Sequence, residues 1–230
     1  MAVALTTYFA NAASNVLATA NQLYYANSGS GSTTQCYVTI GNNVTGFGEL
    51  PAQGAASGWA ASGSIGSPTG KGFFLSALKF QQIVAGNWSA AIRLNAAQGS
   101  GTPQAGTLTG DIYVRAFNYS LGVYTQIVSM VLAAQTLNTT FTTYTLPSTA
   151  ASASIFTSQP ASFLYIDCWF NCLTNANANA LQGIRFNRLT TDLTSFKGDT
   201  GGQVVTPGYI PAVPTVLGAS QSHRPLGRYQ

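Results

Sequence analysis

Few side chains in this sequence are capable of catalysis. His223 is the only histidine, and the acidic residues are Glu49, Asp111, Asp167, Asp192 and Asp199. A Ser–His–Asp or Cys–His mechanism needs a base that is held rigidly beside its nucleophile. Because His223 lies in a proline-rich C-terminal region, we expect a solvated or interface histidine rather than a base.

Two carboxylates that face each other across a cleft would permit glycoside hydrolysis. Asp111 and Asp167 both fall in predicted strands, but nothing in the sequence places them together. Asp111 opens its strand and is expected to help end a turn. Asp167 alternates with Tyr165 and Trp169 on one face and is expected to pair with an arginine. We therefore predict no catalytic residues.

Metal and phosphate sites are not indicated either. Zinc sites combine Cys and His at short spacings, which Cys168, Cys172 and one distant histidine do not provide. Asp192 and Asp199 flank a loop that could hold calcium, but the regular acidic spacing of a calcium loop is missing. The stretches GSGSTTQ and GSIGSPTGKG do not follow the phosphate-loop pattern. We predict no metal and no cofactor, and hence a protein that is not an enzyme.

The chain has three cysteines, Cys36, Cys168 and Cys172, and the odd number argues against a complete disulfide framework. Cys168 and Cys172 fall in one predicted strand, where four residues span about 13 Å. That distance is beyond disulfide reach. We predict buried free thiols, although Cys36 could pair with either of the other two.

Aromatic side chains form the best candidate for a binding site. Phe163, Tyr165 and Trp169 share one face of a predicted strand, and Tyr113 and Phe117 share one face of another. Exposed rings on a β-sandwich could stack on sugars, as they do in lectin-like modules. The interpretation that we favour is that both faces are covered, one by a second sheet and the other by an arm or a subunit.

The composition favours a protein that packs against other proteins. Charged residues make up only 6% of the chain, against roughly 25% in an average soluble domain, while hydrophobic residues make up 46%. The remaining polar groups are mostly neutral, and neutral groups cost less than charges to desolvate. A surface of this kind can be buried against a neighbouring subunit.

Charge and hydropathy also indicate which partners to exclude. The net charge of +4 includes no cluster of Lys and Arg, which a nucleic-acid site would need, and no basic run for a membrane surface. No apolar stretch reaches the 18 residues expected of a transmembrane helix. The N-terminus lacks the positive region of a signal peptide. We expect neither nucleic acid nor a membrane as partner.

The predicted elements divide the chain into three segments. Residues 1–32 form an N-terminal arm: apolar side chains at three- and four-residue spacing over residues 1–27 predict an amphipathic helix, with an extended arm along a neighbouring subunit as the alternative, before a glycine-rich hinge at 28–32. Residues 33–196 form an all-β body, an antiparallel β-sandwich or jelly roll. Residues 197–230 are rich in proline and predict an extended C-terminal arm.

About eight strands are predicted in the body, with long loops at 41–71 and 95–110. They cover residues 35–40, 73–80, 88–94, 111–119, 123–132, 140–146, 162–170 and 181–186. A tight SLG link predicts a hairpin between the fourth and the fifth. The alternating pattern places five side chains in the core, namely Ile112, Val114, Leu164, Ile166 and Phe170.

In overall character the chain resembles the structural proteins of tailed-phage virions, such as capsid decoration, minor capsid and tail-associated proteins. The resemblance lies in the MAVALTTYF start, the low-charge body, the strands DIYVRAFNY and SFLYIDCWF, and the proline-rich tail. It implies a β-sandwich body with arms, present in many symmetric copies in a virion. No functional residue is carried over from it.

The resulting hypothesis is a non-enzymatic subunit of a virion or similar large assembly. Its partners would be further copies of itself or other virion proteins. The alternative is a carbohydrate-binding β-sandwich module of a phage fibre or an extracellular surface, with a glycan as partner. The expected interface residues lie in the two arms: Phe9, Leu17, Tyr24, Tyr209, Ile210, Val213, Val216, Leu217, Arg224 and Arg228.

Overall fold

Every regular element that the structure describes is a β-strand. The structure is a computed structural model, and it describes residues 6–8, 17–19, 22–24, 36–40, 44–50, 57–58, 62–70, 72–76, 80–98, 108–140, 142–156, 162–175, 182–186 and 203–211. None of these residues belongs to a helix long and apolar enough to cross a membrane.

The strands are short at both ends of the chain and long in the middle. The first eight are β1 (Thr6–Tyr8), β2 (Leu17–Thr19), β3 (Gln22–Tyr24), β4 (Cys36–Ile40), β5 (Gly46–Leu50), β6 (Ser57–Gly58), β7 (Phe73–Ser76) and β8 (Phe80–Ile83). The others are β9 (Gly86–Gln98), β10 (Leu108–Ser120), β11 (Val123–Thr136), β12 (Thr142–Ala151), β13 (Ser154–Ile155), β14 (Ser162–Asn175), β15 (Gln182–Phe186), β16 (Gln203–Val205) and β17 (Tyr209–Pro211).

These strands form three sheets, and the two larger ones enclose the core. One large sheet runs β2-β3-β1-β16-β9-β15-β4-β6. Strands β16 and β15 pair with successive stretches of β9 along one edge, and β12 pairs with the opposite edge. The second runs β11-β10-β14-β5, with β7 pairing beside β5 on the same strand. A small sheet, β13-β8-β17, lies at one end. Pairing is antiparallel except for β1 with β3 and β4 with β6.

The core lies between the two large sheets, and its inward side chains follow the alternation of each strand. Trp88, Ile92 and Leu94 of β9 belong to the same buried cluster as residues of β10 and β14. The five predicted core residues are all buried: Ile112, Val114, Leu164, Ile166 and Phe170. The predicted all-β antiparallel sandwich is therefore confirmed.

The predicted hairpin at the SLG link is also confirmed. Residues of β10 and β11 pair up to Ser120 and Val123, which leaves a two-residue turn. Leu121 and Gly122 both have positive φ, 50° and 88°. Two consecutive positive φ values are typical of the type I′ turn, whose twist matches that of the flanking strands.

Several predicted boundaries are wrong. The helix predicted for residues 1–27 is wrong for the nine described residues, which form strands. The alternative is right about the extended conformation, but β1 pairs with β16 of the same chain rather than with a neighbouring subunit. The predicted loop at 41–71 contains β5 and β6, and β9 extends into the predicted loop at 95–110. Strand β12 continues past Pro147, because it is an edge strand with an irregular register between Leu146 and Thr149.

The C-terminal segment begins as part of the body. Within the predicted arm 197–230, the described residues 203–211 form β16, which pairs with β9 and β1, and β17, which pairs with β8. Val204 is fully buried in the core cluster. The body therefore reaches at least to Pro211, and residues 212–230 lie outside the described part.

Candidate functional site

The aromatic residues singled out in the sequence meet on the outer face of the β10–β14 pair. The antiparallel register places Tyr113 opposite Trp169, Arg115 opposite Asp167, and Phe117 opposite Tyr165. Side chains on a strand alternate between its two faces. These residues therefore project away from the core, in two adjacent rows along the centre of the sheet.

An ion pair lies at the middle of this face. The Arg115 guanidinium donates from Nε to Oδ1 of Asp167 at 2.9 Å and from Nη2 to Oδ2 at 2.5 Å. Its central carbon lies 5.0 Å from the ring centroid of Phe117 and 5.3 Å from that of Trp169. The two charges are thus joined by a two-pronged contact that is flanked by aromatic faces. The predicted pairing of Asp167 with an arginine is confirmed.

The environment of Asp167 fits a structural role. Both members of the pair are buried. Burial raises the pKa of Asp167, and the hydrogen bonds and charge of Arg115 oppose that shift. Removing either partner would leave the other charge buried without compensation. The pair therefore fixes β10 against β14.

Five rings form a continuous cluster between this ion pair and the β10–β11 turn. The centroids of Tyr119 and Tyr124 are 4.7 Å apart, those of Tyr124 and Tyr165 are 5.0 Å apart, and those of Tyr119 and Phe163 are 5.9 Å apart. Phe117 completes the cluster, 6.0 Å from Tyr165. These separations are typical of favourable aromatic pairs.

The chain's own loop covers the centre of the aromatic face. Ser62 pairs through its backbone with Phe47 of β5, which anchors the start of the loop. Further along, the Thr69 hydroxyl donates to the Glu49 carboxylate, and the Gly72 N–H donates to the Tyr165 hydroxyl at 2.9 Å. The covering that we expected from an arm or a subunit comes instead, at the centre of the face, from residues 62–70 and Gly72.

Two glycines allow this loop to lie close to the sheet. A Cβ on Gly66 would lie 2.9 Å from the Trp169 ring. A Cβ on Gly72 would collide with the backbone oxygen of Ile166 and with the Tyr165 ring. The loop buries Tyr165 fully, and burial raises its pKa far above the ordinary tyrosine value, with a contribution from the charge of Glu49. In this arrangement Tyr165 and Trp169 do not provide an open platform for a sugar.

Asp111 has a different role from the one predicted. It is the fourth residue of β10 rather than the first, and it lies where the register with β11 shifts. Its Oδ1 accepts from the Ala134 N–H at 2.9 Å, and its Oδ2 accepts from Asn171 at 3.0 Å. Ala134 has a φ of 50°. The carboxylate therefore stabilises a β-bulge on β11.

The two strand aspartates are too far apart to act as a hydrolytic pair. Asp111 lies opposite Asn171, four residues along β14 from Asp167. Four residues of strand span about 14 Å, whereas paired carboxylates of glycoside hydrolases are roughly 5–9.5 Å apart. Each aspartate is instead engaged by its own structural partners.

The described cysteines are buried free thiols, as predicted. Cys168 and Cys172 point into the core from β14 and form no disulfide. Burial raises the pKa of Cys172 to about 11. The side chain of Cys36 is outside the described part. No cluster of three or more metal-ligating side chains occurs among the residues that the structure describes.

A second surface, which the sequence predicted only in part, lies on the small sheet. Ile155 of β13 and Ile210 of β17 are both paired with Gln82 of β8. Because directly opposed residues share a face, these three side chains form one row. Ile155 is 57% exposed and Ile210 is 42% exposed, while Ile83 on the other face is buried in the core.

This row continues toward the β10–β11 turn. The Asn118 side chain of β10 donates to the backbone oxygen of Ile155 at 2.8 Å. Beyond Asn118 on the same hairpin, Leu121 and Val123 are 76% and 62% exposed. We call the surface formed by Leu121, Val123, Ile155 and Ile210 the apolar strip.

The structure describes the side chains of only two of the predicted interface residues, and their environments differ. Ile210 is exposed and belongs to the apolar strip, whereas Tyr209 is partly buried and packs against the chain's own core. Leu17 and Tyr24 lie in β2 and β3, and their side chains are not described. The others lie outside the described residues: Phe9, Val213, Val216, Leu217, Arg224 and Arg228.

Val123 and Ile155 were not predicted to be exposed contact residues. Val123 directly follows a predicted turn, and Ile155 lies among small polar residues in ASASIF. Their positions in the sequence could have indicated surface exposure, because an apolar residue beside a turn has no predicted core neighbour. Their alignment with Ile210 depends on pairing between distant strands, which cannot be predicted from the residues around each position.

Comparison with known proteins identifies no family. No protein-family model matches the chain, and no curated protein matches it. Among solved structures, one described as "CBM4 structure and function" is 15% identical, with a TM-score of 0.23, covering 55% of this chain and 85% of that chain. The Eiger TNF structure from S. frugiperda is 8% identical, with a TM-score of 0.17, covering 48% and 65%. At these TM-scores neither similarity indicates a function.

Proposed function

We propose that this protein is a non-enzymatic structural subunit of a large assembly, a virion or one similar to it, and that it acts by packing against other subunits. The observation that carries the proposal is the apolar strip. Four large apolar side chains lie exposed at one end of a sandwich whose core is otherwise filled by its own strands. Exposed apolar surface of this kind is characteristic of protein–protein contacts.

The surroundings of the strip support the same proposal. The described stretches that form this end, residues 80–87, 118–125, 150–156 and 206–211, contain no Asp, Glu, Lys or Arg. Charged groups are depleted from the centres of protein interfaces because they are costly to desolvate. An uncharged surface that surrounds exposed isoleucines favours burial against another subunit.

The strongest ionic contact also supports a structural role. Arg115 and Asp167 bind each other under the loop 62–72, and Asp111 binds the β11 bulge. These groups stabilise the sheet and its covering loop. Rigid sheets with a fixed outer face suit a protein that repeats one contact in many copies.

Light scattering coupled to size-exclusion chromatography tests the proposal. The full-length protein is expected to form oligomers whose mass rises with concentration. The substitution Ile155→Asp should lower the oligomer mass, and Leu173→Asp, at a 48% exposed site on β14, serves as the matched control. A monomer at all concentrations, or equal effects of both substitutions, would contradict the proposal.

Glycan binding is the second candidate function. It is favoured by the half-buried rings of Tyr119, Tyr124 and Phe163, which are contiguous at one end of the ring cluster. Rings of this kind can stack on sugars. Glycan-array screening of the wild type and of Tyr119→Ala tests the idea. Binding that Tyr119→Ala abolishes would support it, and an array without signal would reject it.

A further inference from the structure

The apolar strip has a periodicity that suits one particular occupant. Ile210 and Ile155 flank Gln82 on neighbouring strands, so they are two interstrand spacings apart. Two such spacings measure about 9.5 Å. A docking segment should therefore present apolar side chains to one side at this interval.

The chain carries a matching segment immediately after its last described strand. Nineteen residues follow Pro211, and they begin AVPTVLG. In the extended conformation that closely spaced prolines favour, residues three apart lie on the same side and about 9 Å apart. Val213 and Val216 have this spacing, and Leu217 follows. The segment 212–222 contains no Asp, Glu, Lys or Arg. The described stretches around the strip contain none either.

The direction of β17 favours docking on a second copy. The row of Ile210, Gln82 and Ile155 runs across the strands, whereas the chain leaves β17 along the strand axis, at Pro211 opposite Phe80. Pro211 and Pro214 restrict the backbone of this exit. If the segment keeps this direction, six extended residues would carry it about 19 Å along that axis, away from the strip of its own copy.

We infer that residues 212–217 of one copy cover the apolar strip of a second copy, with Val213 and Val216 against Ile210 and Ile155. The inference rests on the proposed function and names its partner, which is another copy of this chain. Two copies that exchange these segments reciprocally would form a closed pair, whereas exchange in one direction would link many copies in series.

Cysteine cross-linking between two full-length variants tests the inference. One variant carries Ile155→Cys and the other carries Val216→Cys, and the two are mixed under mild oxidation. Docking gives the two thiols a high effective concentration, so mixed dimers should form about tenfold faster or more than in the control mixture. The control mixture pairs Val216→Cys with Leu173→Cys, whose site lies at the far end of β14. The wild type, with its three natural cysteines, gives the background.

The possible results show whether the inference fails alone or together with the proposed function. Fast mixed dimers from the Ile155→Cys mixture alone support the inference. A variant that carries both Ile155→Cys and Val216→Cys in one chain completes the test. If it forms a bridge within single copies and the mixture gives no mixed dimers, the inference is overturned, because the segment then covers its own strip. Equal rates in both mixtures also overturn it. In that case, oligomers seen by light scattering would leave the proposed function standing, and a monomer would reject both.

Discussion

Replacing Asp167 with asparagine should destabilise the protein more than any other single charge removal among the described residues. The substitution keeps the shape of the side chain but leaves the Arg115 guanidinium buried without a counter-charge. Breaking a buried pair in this way costs about 3–5 kcal/mol. In a chain of this length each kcal/mol lowers Tm by about 2–4 °C, so a loss of roughly 10 °C is expected.

The double substitution Arg115→Met with Asp167→Leu should recover most of this loss. It removes both charges and fills the space with apolar side chains between Phe117 and Trp169. Replacing a complete buried pair with packed apolar residues is often neutral or stabilising. The double variant should therefore be more stable than Asp167→Asn alone.

Urea denaturation monitored by tryptophan fluorescence at pH 7 measures the stability of both variants. Asp111→Asn is the control, because it removes the same charge from a partly exposed side chain, and its loss should be about 1 kcal/mol. A loss below about 1 kcal/mol for Asp167→Asn would refute the reasoning. So would a double variant that is less stable than the single one.

Three further predictions concern the loop, the thiols and the turn. Gly72→Ala should cost about 1–3 kcal/mol because its Cβ meets Ile166 and Tyr165, whereas Gly63→Ala, with no atom within 4 Å, should have no effect on urea denaturation. With the pKa of Cys172 raised to about 11, iodoacetamide at pH 8 should label it about 100-fold more slowly in the folded than in the unfolded protein, as read by mass spectrometry; equal rates would place it outside the core. Leu121→Asn should raise the free energy of unfolding by about 1 kcal/mol, because asparagine tolerates the positive φ at this position better than leucine does; a loss of stability would show that Leu121 packs against its own chain.

The central strands could be predicted because their alternation is uninterrupted. Residues 111–119 and 162–170 separate apolar from mixed side chains so cleanly that the five core residues and the partner type of Asp167 followed from the pattern. Strand β5 could not be predicted in this way. Its sequence GFGEL contains two glycines, and it is a strand because it pairs with β14 at Cys168 through Cys172.

The aromatic residues of the candidate site could be predicted from the sequence, but the loop that covers them could not. The sequence indicated an aromatic outer face, but the loop that covers it consists of small residues with no hydrophobic pattern. That loop can lie close to the sheet because Gly66 and Gly72 have no side chains, since a Cβ at either position would collide with the sheet. The apolar strip joins three distant segments. The pairing of Gln82 with both isoleucines brings two of them together, and the hydrogen bond from Asn118 to Ile155 connects the β10–β11 hairpin to them.

The position of β16 has a consequence for how each copy is made. Gln203–Val205 lies between β1 and β9, so a strand near the end of the chain joins two strands from its first half. The ribosome, adding roughly 5–20 residues per second, reaches β16 several seconds after it completes β9. Until then the stretch Ser89–Ala91 of β9 lacks its partner on that edge and can pair with the wrong strand. The first large sheet is therefore completed only after β16 has been made, long after the synthesis of its strand β9.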